Sequence, residues 1–136
     1  MNLVREKVEY KPLSTNNETT AQVAYNQKKG VCQDQAHIMV SAARTINIPA
    51  RYVNGFSAHT SNGVSETHAW VEIYIEDLGW VAFDPSKKCC IDDKYVRVGC
   101  GFDFHDASMI KGIKCNFDGQ ENLDKDIKIQ IQQSHQ

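Results

Sequence analysis

At 136 residues the chain suits one ordinary domain, large enough to bury a core without disulfide or metal staples. Its 15 basic and 17 acidic residues leave a net charge of −2, and no Lys/Arg run exceeds a pair, so neither nucleic acid nor an anionic membrane is expected as the main partner. The longest apolar runs cannot cross a bilayer, and Met-Asn-Leu-Val-Arg-Glu-Lys at the start has no hydrophobic segment like that of a signal peptide; the expectation is a soluble, cytoplasmic domain.

Residues 1–17 read as a connector, because Tyr10-Lys11-Pro12-Leu13-Ser14-Thr15-Asn16-Asn17 is rich in turn formers. From Glu18 to Lys28 the composition suits a helix, with Thr15 to Asn17 offering N-cap side chains and Gly30 closing it. A second helix is expected from about Cys32 to Asn47. Ala36, Met39, Val40, Ala43 and Ile46 recur at three-and-four spacing along it, Gln33, His37, Ser41 and Arg44 take the other face, and Pro49 enforces the stop.

Strands follow. Ala50 to Ala58 is rich in strand formers, His59 to Ser65 reads as a loop, and Glu66 to Ile75 alternates. Ala69, Val71, Ile73 and Ile75 share one face of that strand; His68, Trp70, Glu72 and Tyr74 share the other. A hairpin at Glu76-Asp77-Leu78-Gly79 returns the chain as Trp80 to Asp84, ended by Pro85. Residues 86–95 read as a loop; Tyr95 to Val98, Phe102 to His105, Ile110 to Phe117 and the alternating Ile127, Ile129 and Ile131 read as further strands.

A thiol directly after a glycine turn and at the head of an apolar helix occupies a nucleophile's position. Unpaired N–H groups and the positive end of the helix dipole favour a thiolate there, and a nearby amide can meet the oxyanion formed by its attack. A register that sets even positions opposite even positions brings His68 and Asp84 to one face of neighbouring strands. Thiol chemistry on amides needs such a set: an imidazole to take and return the proton, and a carboxylate to fix the imidazole's tautomer. Cys32 is therefore assigned as nucleophile, His68 as general base and then acid, and Asp84 as the orienting carboxylate.

Other residues carry weaker signals. Trp70 and Trp80 lie on the His68 face and are candidates to wall a substrate cleft, although core packing explains them equally well. Asp34 and His37 are expected to brace nearby loops, and Asp103 and His105 to sit at the surface. Arg51 suits a substrate carboxylate or a neighbouring acid equally. The five cysteines, Cys32, Cys89, Cys90, Cys100 and Cys115, show neither a secreted disulfide pattern nor the paired spacing of a structural zinc site, so free thiols are expected, with no metal and no cofactor.

The same residues resemble a known family. Gly-Val-Cys-Gln-Asp-Gln-Ala-His (30–37), Ile-Pro-Ala-Arg-Tyr-Val-Asn-Gly (48–55), Thr-His-Ala-Trp-Val-Glu (67–72) and Gly-Trp-Val-Ala-Phe-Asp-Pro-Ser (79–86) are similar to the transglutaminase-like core in its bacterial, cysteine-protease-like form. Val-Arg-Val-Gly-Cys-Gly-Phe-Asp-Phe-His-Asp (96–106) resembles the strand that follows in that group. The resemblance runs from about Tyr10 onward. It implies an α+β, papain-like fold and an acyl-enzyme mechanism, with Cys32, His68 and Asp84 at the family's three catalytic positions. Bacterial members often carry a sizeable region before the core, so the expectation is a single catalytic domain over 1–136 excised from a longer protein, with 1–12 a connector remnant. No upstream side chain matches the second oxyanion donor used elsewhere in the superfamily.

The expected function is thiol-dependent acyl transfer on a peptide or protein substrate. Hydrolysis is preferred on the bacterial-type resemblance and because no EF-hand-type calcium loop is evident. Protein-glutamine transglutamination is the alternative, and an inert peptide-binding module is the rival of another class.

Overall fold

The computed structural model describes residues 1–58 and 66–110 of the chain. It opens with helix α1 (Asn2–Lys7) and a two-residue strand β1 (Glu9–Tyr10), where a connector was expected. Val8, between them, is fully buried, and its carbonyl accepts a 2.8 Å hydrogen bond from Gln35 Nε2. Helix α2 (Ala21–Gln27) starts later than expected because Thr20, rather than Thr15 to Asn17, caps it: Thr20 Oγ1 accepts from Val23 N. It ends at Lys28, in the left-handed region at φ 56°, and not at Gly30. Strand β2 (Lys29–Gly30) pairs in parallel with β1.

Helix α3 (Cys32–Thr45) follows at once. Its apolar stripe is the expected one through Ala43, and Ala36, Met39, Val40 and Ala43 pack with Ala50, Tyr52, Ala69, Val71 and Ile73 in the main core. Ile46 departs from the expectation: it is the C-cap and is exposed, because the helix has already ended at Thr45.

The sheet contains β3 (Ala50–Ser57), β4 (Glu66–Ile75), β5 (Gly79–Asp84), β6 (Cys89–Cys90) and β7 (Tyr95–Gly101), in the order β6-β5-β4-β3-β7. All its pairings are antiparallel. Strand β6 lies within the stretch read as a loop, and β7 runs beyond Val98. The expected strand at Phe102 to His105 is instead a turn, because side chains satisfy its amides: Asp106 Oδ2 accepts from Phe102 N and Asp103 Oδ1 from Asp106 N. The remaining expectations, the loop at 59–65 and strands at 110–117 and 127–131, lie wholly or almost wholly outside the described residues.

Strand β4 presents its two faces as its alternation dictates. Ala69, Val71 and Ile73 face α3, while Trp70 joins Val53 and Tyr95 in a second, smaller cluster with Ala82, Cys89 and Ile91 against it. The sheet is thus buried on both sides at the level of His68.

Candidate active site

Cys32 is held by its neighbours before any chemistry is considered. Gly30 is required because a Cβ there would lie 2.7 Å from Asp34 Cβ. Asp34, at the third position of α3, turns its carboxylate back: Oδ2 accepts from Val31 N at 2.7 Å and from Thr15 Oγ1 at 2.6 Å. This satisfies a donor at the helix entrance and ties residue 15 to the turn before the thiol. The first amides of α3 have no carbonyl one turn earlier within the helix, so this end can receive negative charge.

His68 and Asp84 come together through register. Val71 pairs with Phe83, which places position 84 across from Trp70, with His68 two residues along on the same face. His68 Nε2 lies 2.7 Å from Asp84 Oδ2, with His68 8 % exposed and Asp84 0 %. A carboxylate only accepts, so Nε2 carries the proton and Nδ1 is the ring nitrogen left free of Asp84; the Cys32 side chain is near enough to favour charge on the imidazole.

Burial opposes charge on the imidazole, but the hydrogen bond to Asp84 and the neighbouring Cys32 side chain outweigh it and raise His68 to about 9. Burial likewise works against the Asp84 carboxylate, yet His68, Ser86 and Tyr95 bring it down to about 2. Each group therefore stabilises the charged form of the other.

Asp84 has further donors that the sequence reading did not assign. Oδ1 accepts from Ser86 N (2.8 Å), Ser86 Oγ (2.6 Å) and Lys87 N (3.1 Å). This turn is legible in the run Asp-Pro-Ser, where an Asp side chain caps amides just downstream. Oδ2 also accepts from Tyr95 Oη at 2.8 Å. Tyr95 had no local signal, since it arrives from β7.

The two tryptophans part company. Trp70 is 1 % exposed, its ring centroid 6.4 Å from that of His68 and 5.5 Å from that of Tyr95. It forms the floor behind the imidazole. Gly55 makes room for it, since a Cβ there would meet Trp70 Cη2 at 2.5 Å. Trp80 shares the face but sits across from Tyr74, six positions along β4 from His68, which is roughly 20 Å of strand. It is therefore placed away from His68 and Asp84. Arg51 lies 4.2 Å above its ring, and both line a separate cavity of about 400 Å³ with Arg44, Cys100, Phe102 and Asp106.

Arg51 Nε pairs with Glu72 Oε2 at 2.6 Å, so it answers a neighbouring acid. His37 braces the turn after β7: its Nε2 accepts from Phe104 N at 3.1 Å, and its ring lies 4.6 Å from that of Tyr52. Burial pushes its pKa below the usual histidine value. Asp103 and His105 are exposed, and Asp34 braces the helix entrance. Cys32, Cys89, Cys90 and Cys100 are free thiols; Cys115 lies outside the described residues. Among the described residues no group of three or more His, Cys, Asp or Glu is placed to hold a metal ion, and no helix is long and apolar enough to cross a membrane.

The chain is similar to known proteins. A solved structure from Cytophaga hutchinsonii, named "Putative Cysteine Protease", superposes with a TM-score of 0.71 at 31% identity, covering 79% of this chain and 36% of that one. The α+β architecture is thus the papain-like one of that neighbour. An uncharacterized protein of Mycobacterium leprae is 32% identical over 93% of this chain and 46% of its own length. A protein-glutamine gamma-glutamyltransferase of Pseudomonas aeruginosa is 29% identical over 56% of this chain and 13% of its own length. The chain therefore spans less than half of these relatives. The model of the transglutaminase-like superfamily matches residues 1–85, from the first helix through the Asp84 turn. The chain belongs to the transglutaminase-like superfamily.

Proposed function

We propose that the domain is a cysteine peptidase or amidase that works through a thioester on Cys32. The observation that carries this reading is the buried His68 imidazole bonded to Asp84 at 2.7 Å, with Cys32 at the N-terminus of α3 among the groups that raise its pKa.

In the proposed cycle, His68 Nδ1 takes the thiol proton and the sulfur attacks the substrate carbonyl carbon. The Cys32 backbone N–H donates to the resulting oxyanion. The imidazolium, kept charged by Asp84, passes its Nδ1 proton to the departing amine as the C–N bond breaks, leaving a thioester. Water then gives a proton to Nδ1 as it attacks the thioester. The carboxylic acid leaves and the thiol is restored.

Transglutamination shares every step up to the thioester and differs in the acceptor, an amine in place of water. The Pseudomonas aeruginosa relative's name favours that second reading; the Cytophaga hutchinsonii neighbour's name favours hydrolysis. The four free described thiols suit a reducing, cytoplasmic setting.

Incubation with a peptide library, with and without a small primary amine, tests the proposal. Shortened or deamidated peptides establish hydrolysis, and a mass gain of the amine less ammonia establishes transfer. No change in either arm, together with no labelling preference at Cys32, leaves the inert binding module.

A further inference from the structure

Five donors converge on Asp84, and they have two origins. Those on Oδ1 belong to the turn that follows it, at Ser86 and Lys87. Those on Oδ2 come from elsewhere: the His68 ring at 2.7 Å and the Tyr95 hydroxyl at 2.8 Å. Tyr95 starts β7, which pairs with β3 and is separated from β5 by both β3 and β4. Its ring passes beneath Trp70 and beside His68, at centroid distances of 5.5 Å and 5.8 Å, to reach the carboxylate. A phenylalanine would fill the same apolar space, so packing explains the ring and leaves the hydroxyl unexplained.

We infer that Tyr95 is a positioning residue that acts on His68 through Asp84: its hydroxyl shares the carboxylate oxygen that binds the imidazole and so limits how tightly the imidazole keeps its proton. The direction of donation follows from charge. Asp84 only accepts, so the Tyr95 proton points at Oδ2, and the lone pairs of Oη face the Cys89 thiol, 3.5 Å away, which becomes the donor there. Among the described residues, the titratable groups that face Tyr95 include Asp84 from β5, His68 from β4, Cys89 from β6 and the Lys87 ammonium, 5.4 Å from the ring centroid. Without the phenol proton, the negative charge of Oδ2 concentrates on the bond to Nε2, and the imidazolium releases its proton less readily. This inference deepens the proposed mechanism and rests on it for its functional meaning, but its test does not depend on turnover.

The test is the titration of the His68 ring C–H signals by nuclear magnetic resonance, in a Cys32→Ala background so that no thiol titrates beside it. Tyr95→Phe raises the His68 midpoint by about half a pH unit or more. In Asp84→Asn the same Tyr95→Phe change leaves the midpoint where Asp84→Asn has put it, because the path runs through the carboxylate. Replacing Tyr95 alone by 3-fluorotyrosine, a stronger donor of nearly the same size, lowers the midpoint and serves equally if Tyr95→Phe does not fold. A folded Tyr95→Phe with an unmoved midpoint, equal shifts in both backgrounds, or no response to 3-fluorotyrosine overturns the inference. Turnover is assayed separately in the chain that keeps Cys32, so the expected shifts together with no turnover there overturn the proposed reaction and leave this inference standing.

Discussion

His68 Nε2 and Asp84 Oδ2 are 2.7 Å apart, on neighbouring strands and almost wholly withdrawn from solvent. Burial by itself would discharge both groups; the bond between them, with the further donors on Asp84 and the Cys32 side chain beside His68, keeps both charged. Stability should therefore depend on pH at both ends. His68 is raised from 6.5 to about 9, so its contribution is complete below 6.5 and is lost as pH rises through about 9. Asp84 is lowered from 3.8 to about 2, so its contribution is complete above 3.8 and is lost as pH falls through about 2. Melting temperatures across pH should show both losses, and His68→Ala should flatten the alkaline one. Turnover should fall above about 9, where the ring can no longer act as acid.

Iodoacetamide near pH ~6 should label Cys32 well ahead of Cys89, Cys90 and Cys100, because among these described thiols Cys32 alone stands at the N-terminus of α3 and acts on the His68 imidazole. Peptide mapping reads the order of labelling. His68→Ala should erase the preference, and uniformly slow labelling in the native chain would count against a nucleophilic thiol.

Asp84→Asn keeps the size of the side chain but offers the imidazole an amide where it had a carboxylate. Circular dichroism should stay native while turnover drops on the order of 10³ to 10⁴-fold. Unchanged turnover would remove Asp84 from the mechanism.

His37 acts as an acceptor for Phe104 N, and burial lowers its pKa below 6.5. The folded chain favours the neutral ring, so falling pH below 6.5 charges His37 more readily in the unfolded chain and stability declines there. Hydrogen exchange at the Phe104 amide, corrected for its intrinsic rate, should speed up between pH ~7 and ~5. In His37→Phe the exchange should be fast at both.

A Cβ on Gly55 would lie 2.1 Å from the Val96 carbonyl oxygen and 2.5 Å from Trp70 Cη2. Backbone cannot step aside as a side chain end can, so Gly55→Ala should cost ~1–3 kcal/mol or more. Urea unfolding measures the loss, and His68 should lose its fixed ring environment with it.

The central strands and the α3 stripe were legible because alternation and helical spacing are local properties of the chain. Parity also brought His68 and Asp84 to one face, but parity carries no distance: it grouped Trp80 with them although Trp80 stands opposite Tyr74. The first ten residues were misread because Val8 is held by one buried side chain, Gln35, and a two-residue ladder, neither of which leaves a periodic trace. Tyr95 escaped for the related reason that its partner is set by how the sheet folds around Trp70. At Phe102 to His105 strand-forming residues were outvoted by Asp103 and Asp106, whose carboxylates bond local amides.

The parallel pairing of Glu9 and Tyr10 with Lys29 and Gly30 ends two residues short of Cys32, and Lys11 N still bonds the Gly30 carbonyl at 2.9 Å. The Cys32 thiol is thereby moored to a part of the chain some twenty positions upstream. Slack introduced in that early segment, by a nick or an inserted residue, would travel to the sulfur while Cys32, His68 and Asp84 themselves stay unaltered.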